Sequence, residues 1–252
     1  MSATSIERSY DRSAAAYARY ADRLVYRHLA EPLARALEGP GQVVDVCSGT
    51  GALARRLVRA VAVDLSRAQL AHNPVSSRVQ ADAVRLPFAD DAFGAAGSAF
   101  GISHVPEPLL LVGEMARVAP LVGVLTWERP AEPFTPKQVV LQVIERHLGS
   151  SRSPVGERID EWTGAVGSES AVRALLRRAG LETEVRTVGV SVPWPGAHAF
   201  VEYRLSLLGI ESLLGDPRAV RGEAVAAVEA LPAAETVWRP RLVLGVGRRF
   251  GK

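Results

Sequence analysis

The stretch Val43-Val44-Asp45-Val46-Cys47-Ser48-Gly49-Thr50-Gly51 constrains the chain more than any other: an apolar strand runs into a turn of small residues, and Ala52-Leu53-Ala54-Arg55-Arg56-Leu57 then reads as a helical segment. A strand that ends in a glycine turn at a helix start offers a ligand bare backbone N–H groups and the positive end of the helix dipole. Gly49 to Ala54 fit the loose dinucleotide pattern G-x-G-x-x-G/A, and the acid Asp64 closes the next apolar run, nineteen residues after Asp45. The turn alone leaves a pyrophosphate and a cation as competing ligands. Asp45 favours the cation, because a buried carboxylate at the strand end repels a phosphate on the loop. Cys47, where glycine would be freest, is expected to exclude a positive φ.

The 252 residues fit one α/β domain with a lid better than two independent domains. With 48% hydrophobic and 23% charged residues the chain is ordinary for a globular protein. The single cysteine rules out an internal disulfide framework. Residues 1–30 carry charges throughout and no run reaches the roughly 20 apolar residues of a membrane span, so the expectation is a cytoplasmic protein that uses no membrane. The net charge is +3, with lysine only at Lys137 and Lys252. The arginine pairs 55–56, 177–178 and 248–249 fall in separate elements without interleaved aromatics, which argues against nucleic acid as a partner.

Residues 5–38 are helical in pattern and rich in alanine, with Tyr10 and Tyr17 seven apart, before Glu38-Gly39-Pro40-Gly41 breaks the run. After the glycine turn come strands over 61–65, around 78–81, over 95–100 and over 124–128, with helices from Ser66 and over 107–118. Buried strands alternating with helices call for a doubly wound, mostly parallel sheet. Beyond it, the pattern gives helices over 135–148, 168–179, 197–214 and 218–230, a polar loop over 150–167 that contains Trp162, a strand over 182–192 and a closing strand over 241–249. The chain divides into a helical cover (1–38), a cofactor half (39–130) and a substrate half (131–252), with insertions around 133–167 and 193–240.

Several segments resemble one family. The run D-x-small-x-G-x-G over 45–51, followed by an acid at the second strand, resembles the first motif of class I S-adenosylmethionine (SAM) methyltransferases. Asp82-Ala83-Val84-Arg85-Leu86-Pro87-Phe88-Ala89-Asp90-Asp91-Ala92-Phe93 resembles the D-A-x-x-L-P-F-x-D-x-x-F signature of the small-molecule branch related to ubiquinone, menaquinone and biotin-pathway enzymes. Ser9 to Tyr17 resembles that branch's N-terminal helix, and His104-Val105-Pro106 its His-Val-Pro step after the fourth strand. Cys47 and Gly94 depart from the pattern. The resemblance covers roughly residues 8–128 and fades to architecture beyond.

The resemblance implies a Rossmann-like, doubly wound seven-stranded sheet, mostly parallel with an antiparallel last strand, roofed by helical lid elements. It implies SAM as cofactor and S-adenosylhomocysteine (SAH) as product. The cofactor set carried over is Asp45, Val46, Cys47, Ser48, Gly49 and Gly51 at the turn, Asp64 and Leu65 at the ribose, Asp82 and Ala83 at the adenine, and Ser98 and Phe100 beside the sulfonium. His104 stands as the candidate base with Tyr17 as its partner, by similarity to phosphobase methyltransferases; the alternative for His104 is packing. Trp127, Trp162, Trp194 and Tyr203 are candidates for an apolar or aromatic substrate pocket, or core. The implied partner is a small molecule, and the assembly a monomer or homodimer. No metal is expected, since zinc-type Cys/His spacing is absent and Asn73 lies far from the strand where a catechol-type site takes its asparagine. The chain has no N-P-P-Y/F run, Pro-Cys pair or G-x-S-x-G elbow, which speaks against base methylation and hydrolysis. A SAM-binding protein with a non-methylating activity such as cyclisation, and a non-catalytic binding subunit, stay open.

Overall fold

The computed structural model describes residues 3–39, 41–149 and 154–249, so Pro40 of the helix breaker and Lys252 lie outside the described residues. Helix α1 (Ala3–Ala16) runs into a π-helical segment (Tyr17–Tyr26), followed by α2 (Arg27–Leu29) and α3 (Glu31–Ala36). Strand β1 (Val43–Val46) lies buried along its length, next to β2 (Ala60–Asp64), and α4 (Arg67–Ala71) and β3 (Arg78–Gln80) follow. Next come β4 (Ala95–Ala99), α5 (Pro108–Val118) and β5 (Leu121–Trp127). The second half holds α6 (Thr135–Leu148), α7 (Pro154–Val166), α8 (Glu169–Arg178), β6 (Leu181–Gly189), α9 (Ala197–Ser206), α10 (Pro217–Glu229) and β7 (Arg241–Arg249).

The seven strands form one sheet in the order β3-β2-β1-β4-β5-β7-β6. Strands β1 to β5 are mutually parallel, and β7 inserts antiparallel between β5 and β6, pairing Val124 with Gly245 and Val185 with Gly245. The order reverses at β1 and β4, where a doubly wound sheet opens its ligand crevice at the carboxyl ends of the strands. Helices bury both faces: Val44, Val63 and Val122 pack with Met115 and Leu176 on one side, and Val43 and Leu125 with Leu33 and Leu37 on the other.

Several elements differ from the sequence expectation: Tyr17–Tyr26 is π-helical within the expected N-terminal helix, and the helix expected over 197–214 ends at Ser206 and goes on as a 3-10 segment, Leu207–Leu213. No α-helix follows the glycine turn; a short 3-10 turn (Ala54–Arg56) and a bend over 57–59, opened by the extended Leu57, carry the chain to β2. Only the residues between Gly51 and Ala60 are available to retrace a strand of about 16 Å at roughly 3.3 Å per residue, and α-helix, at 1.5 Å per residue, is too short for that return. The predicted loop over 150–167 instead contains α7. Its apolar residues Trp162 and Val166 lie one turn apart, and Val166 and Thr163 are buried.

Candidate functional site

The glycine turn is built from within. Asp45, almost fully buried, accepts from the Ser48 hydroxyl at 2.6 Å and from the Ala54 backbone N–H at 3.0 Å. Asn73 donates to Ser48 Oγ at 2.9 Å and to the Gly49 carbonyl at 3.1 Å, so it is a strut for the turn. A side chain at Gly51, φ +88°, would collide with Asn73 and Pro74. Cys47 adopts φ +57°, which corrects the expectation that cysteine would exclude the left-handed backbone. The turn is determined around it: Ser48 N–H donates to the Val63 carbonyl at 2.9 Å and Gly49 N–H to Asp64 Oδ2 at 2.8 Å. A locally strained residue persists where its neighbours fix the backbone in this way.

A cavity of about 300 Å³ opens over this turn. Of the expected cofactor residues, Cys47, Ser48, Gly49, Asp64, Leu65, Asp82, Ala83 and Phe100 line it. Asp45, Val46, Gly51 and Ser98 do not. Val46 and Ser98 are fully buried, Val46 in the sheet core, while Asp45 and Gly51 support the turn from behind. Tyr10, on the N-terminal helix expected to fold over the pocket, lines it too, and residues that sequence reasoning missed complete the wall, among them Tyr26, Ser66 and Gln69. Tyr26 carries no sequence signal, because in an α-helix it would face away from Tyr17.

The N-terminal cover is tied down over the cavity. Asp11 accepts from Ser66 Oγ at 2.5 Å and from Ala68 N–H at 3.3 Å, and buried Asp22 pairs with Arg55 at 2.5 Å. In the π-helical run, Arg27 N–H donates to the Asp22 carbonyl five residues back. At roughly 4.4 residues per turn, nine residues make about two turns. Tyr17 and Tyr26 therefore stack, their centroids 5.5 Å apart. The partner of His104 is Tyr10, whose hydroxyl contacts His104 Nδ1; Tyr17 is engaged with Tyr26 instead, which corrects the expected pairing.

The electrostatics of the cavity are one-sided. Glu7, Asp64, Asp82 and Glu107 line it, with no lysine or arginine beside them. Burial pushes Asp64 up to about 6 and Asp45 up to about 7, each further raised by a neighbouring acid, Asp11 for Asp64 and Asp64 for Asp45. Burial lowers His104 to about 4, so the ring is neutral at neutral pH, and burial raises the Tyr10 phenol well above its ordinary value. The phenol and the neutral ring can each donate, so the tautomer of His104 sets which of the two holds the proton between them.

The Asp82 loop owes its shape to α5. Arg117 donates to the Leu86 and Phe88 carbonyls at 3.1 and 2.7 Å and to Asp90 at 2.9 Å, while Glu114 accepts from Leu86 N–H at 2.7 Å. Phe88 and Phe93 pack edge to face at 4.9 Å. The Leu-Pro-Phe-x-Asp run is thus a clamped loop that presents Asp82 and Ala83 to the cavity.

A second cavity, of about 510 Å³, adjoins the first across Tyr10, Tyr17, Tyr26 and His104, which line both. Trp127 and Tyr203 line it as expected from sequence, together with Phe134 and Trp238, which were missed. Trp194 packs on Phe134 and Phe200 outside the lining, and Trp162 lines neither cavity. Among the described residues no cluster of acids, histidine and cysteine could hold a metal, and no helix is long and apolar enough to cross a membrane.

A sheet of this order, with a glycine turn after β1 and an acid at the end of β2, is the class I SAM-dependent methyltransferase fold. Residues 44–125 match the family described as Methyltransferase domain. The demethylmenaquinone methyltransferase of Mycobacterium marinum is 40% identical over 87 residues, 32% of this chain and 38% of that protein. The one from Renibacterium salmoninarum is 36% identical over 111 residues, 40% of this chain and 47% of that protein. The matches thus span less than half the length of these relatives. Among solved structures, a SAM-dependent methyltransferase of Thermotoga maritima aligns over 97% of this chain and 100% of its own with a TM-score of 0.57 and 16% identity. A protein of Anabaena variabilis assigned as a methyltransferase of an antibiotic biosynthesis pathway gives 0.61 over 88% and 98%, at 15% identity. At such identity these two speak for the fold.

Proposed function

We propose that this chain transfers a methyl group from SAM, bound in the first cavity, to an oxygen, nitrogen or carbon nucleophile of a small aromatic or apolar molecule in the second. The observation that carries the reading is the first cavity's charge: four acids line it, no basic side chain among the described residues offsets them, and a buried acceptor of the wall, Gln69 Oε1, has no partner among them. That environment fits a cationic ligand with hydroxyl and amino donors and repels a pyrophosphate. The 3-10 turn after Gly49-Thr50-Gly51 supplies no α-helix dipole for phosphate, and Asp45 already occupies the Ala54 N–H. A nicotinamide dinucleotide therefore does not suit the site.

When bound, SAM supplies a methyl group on a positively charged sulfur, from which an acceptor lone pair takes it as the C–S bond breaks and SAH remains. The chain's own part is to hold and orient. Asp64 stands where the family grips the ribose, Asp82 and Ala83 stand at the adenine end, and Phe100, φ +66°, closes the wall toward the second cavity. Tyr10 and His104 form part of the partition between the cavities. His104, neutral at neutral pH and held by Tyr10 through Nδ1, keeps its other ring nitrogen for the acceptor. Alignment of two reactants in a site shielded from water supplies most of the acceleration such a transfer needs. The family match ends at residue 125, before most of the second cavity's wall, which supports a private acceptor in a biosynthetic route. Incubation of the protein with SAM and a panel of small aromatic acceptors tests the reading: it predicts one methylated product per SAH released. Product formation without SAH would contradict it.

A further inference from the structure

The two cavities carry opposite electrostatic characters. Around the second, five basic side chains face three acidic ones. Two of the acids are committed: Asp160 to Arg129 at 2.7 Å and Glu128 to Arg241 at 2.5 Å, while Glu132 lies 3.9 Å from the same Arg241. Arg204 is different. Among the described residues it has no carboxylate partner; its guanidinium carbon sits 5.6 Å from the Tyr203 ring centroid, and its Nε is buried with no acceptor. Its side-chain hydrogen bond goes to the Tyr203 phenol, a neutral acceptor, and a guanidinium bonds a carboxylate or phenolate more strongly, so the group marks a place where an anion fits.

The rest of the cavity selects shape. Trp238 lies nearly parallel to Phe134, centroids 5.2 Å apart at 10°, and nearly parallel to Trp127, 6.2 Å apart at 14°. The stack gives the cavity an aromatic wall, and such a wall favours an aromatic occupant. The charge of Arg204 also reaches the partition, since it acts on the buried phenols of both Tyr203 and Tyr26, and Tyr26 faces both cavities.

We infer that the molecule bound in the second cavity is a planar aromatic anion, a carboxylate or phenolate, whose negative charge is met by Arg204. The inference rests on the methyltransferase reading and narrows its acceptor class. An acceptor that binds as an anion needs no protein base to free its lone pair.

The test uses 2-naphthoate and its neutral isostere 2-naphthamide, titrated against the full chain in the presence of saturating SAH, with tryptophan fluorescence and calorimetry as readouts. The expected result is that naphthoate binds at least about tenfold more tightly than the amide, the difference a charged hydrogen bond makes. Arg204→Gln should bring naphthoate to the level of the amide and leave the amide and SAH unchanged, and Arg204→Lys should keep part of the preference. Equal affinity of the two probes in the wild-type protein, or a preference that survives Arg204→Gln, would overturn the inference. SAH titration in the same samples separates the two levels: SAH binding without a naphthoate preference overturns this inference alone, and no SAH binding by folded protein overturns the reading beneath it.

Discussion

At Cys47 the chain accepts a backbone geometry that cysteine disfavours, because the turn around it is fixed by Ser48, Gly49 and Asp64. Cys47→Gly should therefore be tolerated or slightly stabilising, whereas Cys47→Val, β-branched at positive φ, should cost about 1–3 kcal/mol in denaturant unfolding. Asp64 and Asp45 make cofactor binding depend on pH. Both are raised, so both hold protons in the ligand-free protein below about 6 and 7 and ionise above. A cation binds the ionised forms better, so SAM affinity should climb as pH rises through 6 to 7 and level off above. SAH, with a neutral sulfur, should show a shallower rise in the same calorimetric series. For folding the signs oppose: acidification relieves the buried aspartates, whereas His104, lowered to about 4, favours unfolding as pH falls below 6.5. Asp45, Asp64 and Asp82 were legible in the sequence because carboxylates at strand ends leave a motif. Asp11, Gln69 and Arg204 were not, since each acquires meaning only from a partner or a cavity distant in sequence.

Among the elements, the strands and the helices from Pro108 onward were largely readable, because buried valine and alanine runs and proline-started helices carry their own signals. The segment after the glycine turn was not: helix-like composition in Ala52 to Leu57 gave way to the distance the chain has to cover. The π-helical run left no mark in the periodicity either, and it decides where Tyr26 points. Deleting Ala21 should convert part of the run to α-helix, turn Tyr26 away from Tyr17, and loosen the cover; the expected outcome is faster SAH dissociation in stopped-flow fluorescence with the sheet intact. The Asp82 loop makes a different prediction. Arg117→Ala removes its donors to the Leu86 and Phe88 carbonyls and should destabilise by roughly 1–3 kcal/mol, discounted from a buried network because Arg117 is about a third exposed.

On the scale of the whole molecule, function follows from a division of labour across the sheet edge. The first half builds an acidic chamber from strand ends that every doubly wound sheet places together, which is why its residues could be carried over from a family motif. The second half, with Trp127 at the end of β5, builds an aromatic, basic chamber from Phe134, Tyr203, Arg204 and Trp238, residues far apart in sequence but for the Tyr203-Arg204 pair on α9. Tyr10, Tyr17, Tyr26 and His104 stand where the two chambers meet. The claim on which everything else depends is that the acidic chamber binds SAM. Calorimetric titration of the folded, ligand-free protein with SAM, SAH and NAD, repeated with Asp64→Ala, tests it most directly. Binding of SAM and SAH but not NAD, weakened at least about tenfold by the substitution, is the predicted result. Absence of SAM and SAH binding, or binding indifferent to Asp64, would contradict it.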